Sequence, residues 1–273
     1  MQNYTLPDSC TYKSQGSSEG TQTKFFMDGK WFKQDLNGYE GEVECLVSCL
    51  LDCSNIDNYV QYEECMINGK RGCVSDNFLK ENEMFITFER LHQMYTGRHM
   101  IDEVMVLGDT EERINYVKDF VFKHTGLDIS NYLSNVFAVD ALVLNYDRHF
   151  NNLGVIYDSE KDSYREAPIF DNGAGLLSNI SRFPAFQSIE ENTSHIAGQP
   201  ICANLDLQAY YAGIKLKIDY DAFETKYLPY FENSRAVEVL KYQLEQQKSL
   251  FPDFKKFELE EERSTTRLLN SRA

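Results

Sequence analysis

Asn145-Tyr146-Asp147-Arg148-His149-Phe150-Asn151-Asn152-Leu153-Gly154 decides the reading of this chain, because a second acid, Asp171, follows it in Ala167-Pro168-Ile169-Phe170-Asp171-Asn172-Gly173. Between the two blocks, residues 153–157 and 164–170 read as short strands around an Asp-Ser-Glu-Lys-Asp turn. A carboxylate, an amide five residues later and another carboxylate after a short hairpin are what metal-assisted phosphoryl transfer needs. On this reading Asp147 orients an attacking hydroxyl and Arg148 balances charge nearby. Asn152 and Asp171 hold Mg²⁺ on the phosphates of ATP. Either acid alone reads as an ordinary turn residue; together with Asn152 they read as a site.

Working outward, residues 131–144 form a helix apolar nearly all round, through Leu133, Val136, Phe137, Val139, Ala141, Leu142 and Val143. Such a helix belongs in the middle of a core. Before it, Ile114, Val117, Val121 and Phe122 stripe a helix that starts at Thr110 and ends at Gly126. Shorter helices are expected at 91–95 and 101–107, and later ones at 205–213, 221–227, 234–250 and 254–267.

The N-terminal part has a different texture. Residues 1–23 are polar and rich in Ser, Gly and Thr, and residues 24–34 form a hairpin around Asp28-Gly29. Val43, Leu46, Val47, Leu50 and Leu51 fall at helical spacing. Residues 59–66 and 84–88 read as strands, with a turn at Asn68-Gly69. The expected architecture is α+β and two-lobed: a β-rich N-lobe over residues 1–90 and a mainly helical C-lobe over residues 91–273.

Composition sets the limits. The 273 residues include 43 acidic and 27 basic side chains, a net charge of −16. That field disfavours nucleic acid, and no basic cluster exceeds Lys255-Lys256. It also repels ATP, so a nucleotide site needs its own cations, for which Lys24, Lys33 and Arg148 are available. No secretory leader is visible at Met1-Gln2-Asn3-Tyr4, and no apolar run approaches the roughly 20 residues of a membrane span. Seven cysteines without a regular framework suit free thiols, and Cys45, Cys49 and Cys53 read as packed small side chains. A cytoplasmic protein is expected, with export to a host cell left open.

Three further segments complete the reading. Ser17-Ser18-Glu19-Gly20-Thr21-Gln22-Thr23-Lys24 is a flexible loop whose backbone N–H groups suit phosphates. Lys33, in the apolar run Trp31-Phe32-Lys33, suits the α- and β-phosphates if a helix carboxylate pairs with it. Glu42 is the expected partner, with Glu40 and Glu44 left open. Phe85 to Leu91 ends a strand at the joint between the lobes, where backbone groups meet an adenine edge. His149 is expected to order the catalytic loop through a hydrogen bond.

In this order the segments resemble the HipA-like serine/threonine kinases, over roughly residues 14–180. The resemblance is carried by Gly20-Thr21-Gln22-Thr23-Lys24 (G-x-Q-x-K), Lys33 and Phe88-Glu89-Arg90. It continues through Asp147 to Asn152 (D-x-H-x-x-N) and Pro168-Ile169-Phe170-Asp171 (P-x-x-D). It implies Mg-ATP as cofactor, transfer to protein serine or threonine, and autophosphorylation at Ser17 or Ser18. It also implies Asp147 as catalytic acid, with Lys33, and Asn152 and Asp171 as metal ligands. The nucleotide falls to Ser18, Gly20, Thr21, Gln22, Lys24, Lys33, Glu42, Glu89 and Leu91. With residues 1–13 ahead of the loop, the chain is expected to lack most of the N-terminal subdomain of the longer members and to resemble the compact ones. Two rival readings are a phosphoinositide-type lipid kinase, whose loop is also Asp-Arg-His-x-x-Asn, and a nucleotide-binding pseudokinase.

Overall fold

The computed structural model describes residues 1–12, 22–231 and 233–246. Residues 17–21 of the expected phosphate loop, with Ser17, Ser18, Gly20 and Thr21, lie outside these residues, as do the expected helix 254–267 and the end of 234–250.

The N-terminal sheet has five strands in the order β1-β4-β5-β3-β2. They are β1 (Gln2–Tyr4), β2 (Lys24–Met27), β3 (Lys30–Gln34), β4 (Glu63–Ile67) and β5 (Lys70–Asp76). Only β1 runs parallel to its neighbour; the other pairs are antiparallel. Both turn expectations hold. Asp28-Gly29 joins β2 to β3 with φ of 51° and 74°, and Asn68-Gly69 joins β4 to β5 with φ of 47° and 78°. Two successive positive φ values are what a two-residue hairpin of the right twist requires, and Asn/Asp-Gly supplies them most easily.

Helix α1 (Glu40–Asp52) lies on β4 and β5 with Val43, Leu46, Val47, Leu50 and Leu51 buried. Each such side chain contributes roughly 1.5–3 kcal/mol through burial. Two glycines allow the close approach: a Cβ on Gly41 would sit 2.6 Å from the Gly72 carbonyl carbon, and one on Gly72 would sit 2.1 Å from the Lys33 oxygen. Gly72 is also why β5 escapes sequence reading. Its run Lys70-Arg71-Gly72-Cys73-Val74-Ser75-Asp76 has no clean alternation, and glycine weakens a strand pattern. The sheet separates two apolar clusters. Phe32 joins Leu6, Phe25, Cys65, Ile67 and Val74 on the outer face, while Lys33, next in β3, is buried on the α1 side. Alternation along the strand thus points the lysine inward.

β6 (Glu83–Thr87) leaves the N-terminal sheet and pairs with β7 (Gly154–Asp158), which pairs with β8 (Ser163–Glu166). It runs directly into α2 (Phe88–Thr96), followed by α3 (Met100–Met105), α4 (Thr110–Thr125) and α5 (Ser130–Val143). Gly126, at φ 73°, closes α4 as expected. α5 is buried along almost its whole length and packs against α7 (Leu205–Ala212) and α9 (Arg235–Gln246). Two short helices, α6 (Ile189–Thr193) and α8 (Tyr220–Lys226), complete the helical part. One continuous core runs from α1 through α5 to α9. Among the described residues no helix is long and apolar enough to cross a membrane, and all seven cysteines are free thiols.

Candidate functional site

The loop after α5 is held from below. Leu144 (φ 56°) turns the chain out of the helix, and Asn145 Nδ2 donates to Asp140 Oδ1 at 3.0 Å. Arg148 then returns to the core. Its Nη2 lies 2.8 Å from Asp140 Oδ1 and also donates to Asn172 Oδ1 at 2.7 Å, while its Nη1 donates to the Phe170 carbonyl at 2.5 Å. Both members of this ion pair are buried. Burial pushes the Asp140 carboxyl up against the opposing pull of Arg148. Every hydrogen bond of Arg148 among the described residues thus goes to the protein interior. Its guanidinium is used up inside the protein, fastening the 145–152 loop to the segment that carries Asp171.

Asp171 is the centre of the arrangement. Its backbone takes φ 62°, a left-handed conformation that Asp tolerates better than most residues and that recurs at functional sites. Lys33 Nζ lies 2.7 Å from Asp171 Oδ1 and 2.6 Å from Glu44 Oε1. Asn152 Nδ2 donates to Asp171 Oδ2 at 2.6 Å. Glu44 also accepts the Asn172 N–H at 2.9 Å, so one carboxylate ties α1, β3 and the 171–173 turn together. Burial alone would push the Asp171 carboxyl up; Lys33 first, then Lys24 and Arg148, hold it well below the usual range. Burial likewise opposes the charge on Lys33, and Asp171 and Glu44 outweigh it, so the ammonium is held above its ordinary value.

Glu44 replaces Glu42 as the lysine's partner. On a helix, residues two apart point to nearly opposite sides, so only one of the two can face the sheet. Glu42 turns the other way and accepts a hydrogen bond from Ser234 Oγ. Glu40 accepts the N–H groups of Leu36, Asn37 and Gly38 at 3.3, 2.7 and 3.2 Å. The sequence carried the signal: Glu44 stands three residues before Val47 and seven before Leu51, on the apolar stripe.

Asp147, Asp171, Lys24 and Gln22 line one cavity of about 290 Å³, with Asn37, Glu40, Tyr146, His149 and Gly173 in its wall. Asp147 is exposed at its rim, yet the protein crowded around it pushes its carboxyl up; His149 opposes this and Asp171 adds to it. His149 bonds within the loop through its backbone, not through ring Nδ1. Its ring Nδ1 is buried without a partner among the described residues, and its backbone N–H donates to Asn152 Oδ1 at 3.2 Å.

The expected joint is only partly brought to this place. Glu89 lines a second cavity, of about 420 Å³, which shares His149 with the first. Its carboxylate is taken by His99 at 2.6 Å and by the Met100 N–H at 3.2 Å, and its N–H donates to the Phe150 carbonyl. Leu91 is fully buried inside α2, so its side chain cannot flank a ring in the cleft. A feature the sequence reading missed lies nearer. The half-buried rings of Phe78, Phe85 and Phe170 pack together with centroids 5.5–5.8 Å apart, and Phe170 directly precedes Asp171.

A divalent ion fits the donor set. Asp171 and Asn152 already touch through Asn152 Nδ2, while Asn152 Oδ1 accepts the His149 N–H at 3.2 Å, so the amide oxygen would have to leave that donor to join the carboxylate on an ion. No cluster of three or more His, Cys, Asp or Glu suited to a metal occurs among the described residues. An ion held here by Asp171 and Asn152 would have to complete its coordination without a further cluster of such side chains.

No family model matches the sequence, and no curated protein matches it. Solved structures do match in fold. A crystal structure of the Helicobacter pylori proinflammatory kinase CtkA superposes with a TM-score of 0.63 at 16% identity, over 93% of this chain and 96% of that one. HipA of Shewanella oneidensis MR-1, solved with HipB and operator DNA, gives a TM-score of 0.43 at 12% identity, over 92% of this chain and 65% of that one. The chain has the α+β, kinase-like fold of CtkA, a HipA-like kinase.

Proposed function

We propose that this protein is an ATP-dependent serine/threonine kinase of HipA-like type, which transfers the γ-phosphoryl group of Mg-ATP to a protein hydroxyl. The observation that carries the reading is the chain Glu44–Lys33–Asp171–Asn152, each link between 2.6 and 2.7 Å, beside a cavity that Asp147 also enters. Residues from β3, α1, the 145–152 loop and the 171–173 turn have no packing need to meet in this way. Buried charges are costly, and they are retained here as a connected set.

In this proposal Lys33, fixed by Glu44, meets the phosphates, and Lys24 at the cavity wall adds the second cation that an acidic chain needs. Asn152 and Asp171 would hold Mg²⁺, which when bound neutralises charge on the phosphates. Asp147 accepts the proton of the attacking hydroxyl. Burial pushes its carboxyl up, which makes it a better base than a free aspartate. The base of the nucleotide rests against the Phe78, Phe85 and Phe170 rings, in place of the expected Leu91. Residues 1–90 act as the nucleotide lobe and residues 91–273 as the lobe that carries Asp147. Ser17 or Ser18 is the proposed site of autophosphorylation.

The test is transfer of label from γ-labelled ATP with Mg²⁺, offered in parallel to a protein mixture and to inositol-lipid vesicles. Label on serine or threonine, lost in Asp147→Ala, supports the proposal. Label on lipid only, or bound nucleotide with no transfer, rejects it in favour of a lipid kinase or a pseudokinase.

A further inference from the structure

We propose that Gln199 is a positioning residue for Asp147: it occupies one carboxylate oxygen and leaves the other, Oδ2, as the proton acceptor. This rests on the kinase reading of the same site. Gln199 Nε2 donates to Asp147 Oδ1 at 3.2 Å, across 52 residues of sequence. Among the described residues no group donates to Oδ2, and the Asp147 backbone N–H donates to Asn145 Oδ1 at 3.4 Å.

The loop that presents Gln199 is fixed from behind with unusual thoroughness for a surface connection. Gln208, on α7, is fully buried, and its amide makes three hydrogen bonds to that loop. Its Nε2 donates to the Gln199 carbonyl at 3.3 Å, and its Oε1 accepts the N–H groups of Ile201 at 3.1 Å and Cys202 at 3.2 Å. Arg113 on α4 donates to the Ile201 carbonyl at 2.9 Å. A buried glutamine with both ends satisfied by one short loop costs desolvation, and the result is a rigid backbone at residues 199–202. Rigid support of this kind is what a side chain needs in order to orient a reacting group. Gln199 also walls the second cavity together with Pro200 and His149, so the loop stands where the two cavities adjoin.

The chemistry follows from the donor. An amide N–H on Oδ1 fixes the carboxylate plane and stabilises its anionic form. As the acceptor oxygen bonds to the γ-phosphorus, the bond to the β–γ bridging oxygen breaks and ADP leaves. The acceptor's proton passes to Oδ2 and then to solvent.

Three substitutions at this half-buried position separate orientation from simple packing. Gln199→Leu removes the donor, Gln199→Glu replaces it with a like charge, and Gln199→Lys keeps a donor. Turnover is measured against pH at saturating ATP, and the Asp147 carboxyl carbon is titrated by ¹³C NMR in each protein. Gln199→Leu should lower kcat about tenfold, the size of one hydrogen bond to a charged group, with KM for ATP unchanged. The acid limb and the Asp147 titration should both move to higher pH in Gln199→Leu and further in Gln199→Glu, and return or fall in Gln199→Lys. A titration that is the same in wild type, Gln199→Leu and Gln199→Glu overturns the proposal. If Asp147→Ala abolishes transfer while the Gln199 variants behave as wild type, the kinase reading stands and only the role of Gln199 falls. If no protein transfers phosphate, the kinase reading falls, and with it the catalytic role assigned to Gln199.

Discussion

Replacing Arg148 by methionine separates a structural cation from a catalytic one. The substitution keeps most of the side chain's bulk and removes its hydrogen bonds to Asp140, the Phe170 carbonyl and Asn172. Among the described residues the Asp140 carboxylate keeps only the Asn145 amide, at 3.0 Å, in a fully buried position. Removing one partner of a buried pair costs about 3–5 kcal/mol, because the remaining charge must be neutralised or left uncompensated. The Phe170 carbonyl and the Asn172 amide oxygen each lose a donor, which adds about 1–3 kcal/mol for any that stays unsatisfied. In a domain of this size each kcal/mol lowers Tm by about 2–4 °C, so the ion-pair loss alone predicts a fall of about 6–20 °C. Thermal unfolding followed by circular dichroism measures it. The double variant Asp140→Leu/Arg148→Met removes both charges and should recover a large part of the loss. A single variant within about 2 °C of wild type would refute the assignment. So would a double variant that loses as much as the two singles added together.

Three more predictions follow from the same geometry. Glu44→Gln should lower kcat/KM by at least about tenfold, while Glu42→Gln stays within about twofold of wild type; equal losses in steady-state kinetics would restore Glu42 as the lysine's partner. Asp171→Asn should abolish Mg²⁺-dependent nucleotide binding in calorimetry. Because the folded Asp171 carboxyl is held well below its ordinary value, its contribution to stability is full above the unfolded value and is lost as pH falls through the folded one. Wild-type Tm should accordingly fall more steeply than that of Asp171→Asn between about pH 5 and pH 2, and parallel curves would contradict the Lys33–Asp171 pair. Asp35 runs in the opposite sense: burial first, with Glu40 adding to it, pushes its carboxyl up to about 6 against the Gly41 N–H, so ionisation costs stability as pH rises toward 6. Asp35→Asn keeps an acceptor for Gly41 and should gain on the order of 1 kcal/mol at neutral pH once solvent screening is allowed for, with little gain at pH 4.

The parts of the fold legible in the sequence are those governed by local rules. Asp28-Gly29 and Asn68-Gly69 announce their turns, Gly126 closes α4, and the all-round apolar pattern of α5 marks a central helix. That Asp147, Asn152 and Asp171 come together was legible from their spacing along one segment: Asn152 touches Asp171, and Asp171 shares a cavity with Asp147. What escaped depends on packing between distant segments. β5 is a strand because Gly72 lets α1 and β3 approach it, which its own residues do not announce. Arg148 reads as a catalytic cation until Asp140, on the buried face of α5, claims it. The choice of Glu44 over Glu42 depends on which side of α1 meets the sheet, and the apolar stripe held that information. Gln199 reaches Asp147 only through a loop clamped by Gln208, with no motif to mark it.

Intact mass of the purified chain, before and after incubation with Mg-ATP and a protein acceptor, tests the central claim most directly. The account predicts gains of about 80 Da per phosphoryl group on the acceptor or on the chain itself, absent in Asp147→Ala and Asp171→Asn while both variants stay folded. Wild-type protein that binds ATP yet adds no mass anywhere, or an Asp147→Ala variant that transfers as well as wild type, would contradict it.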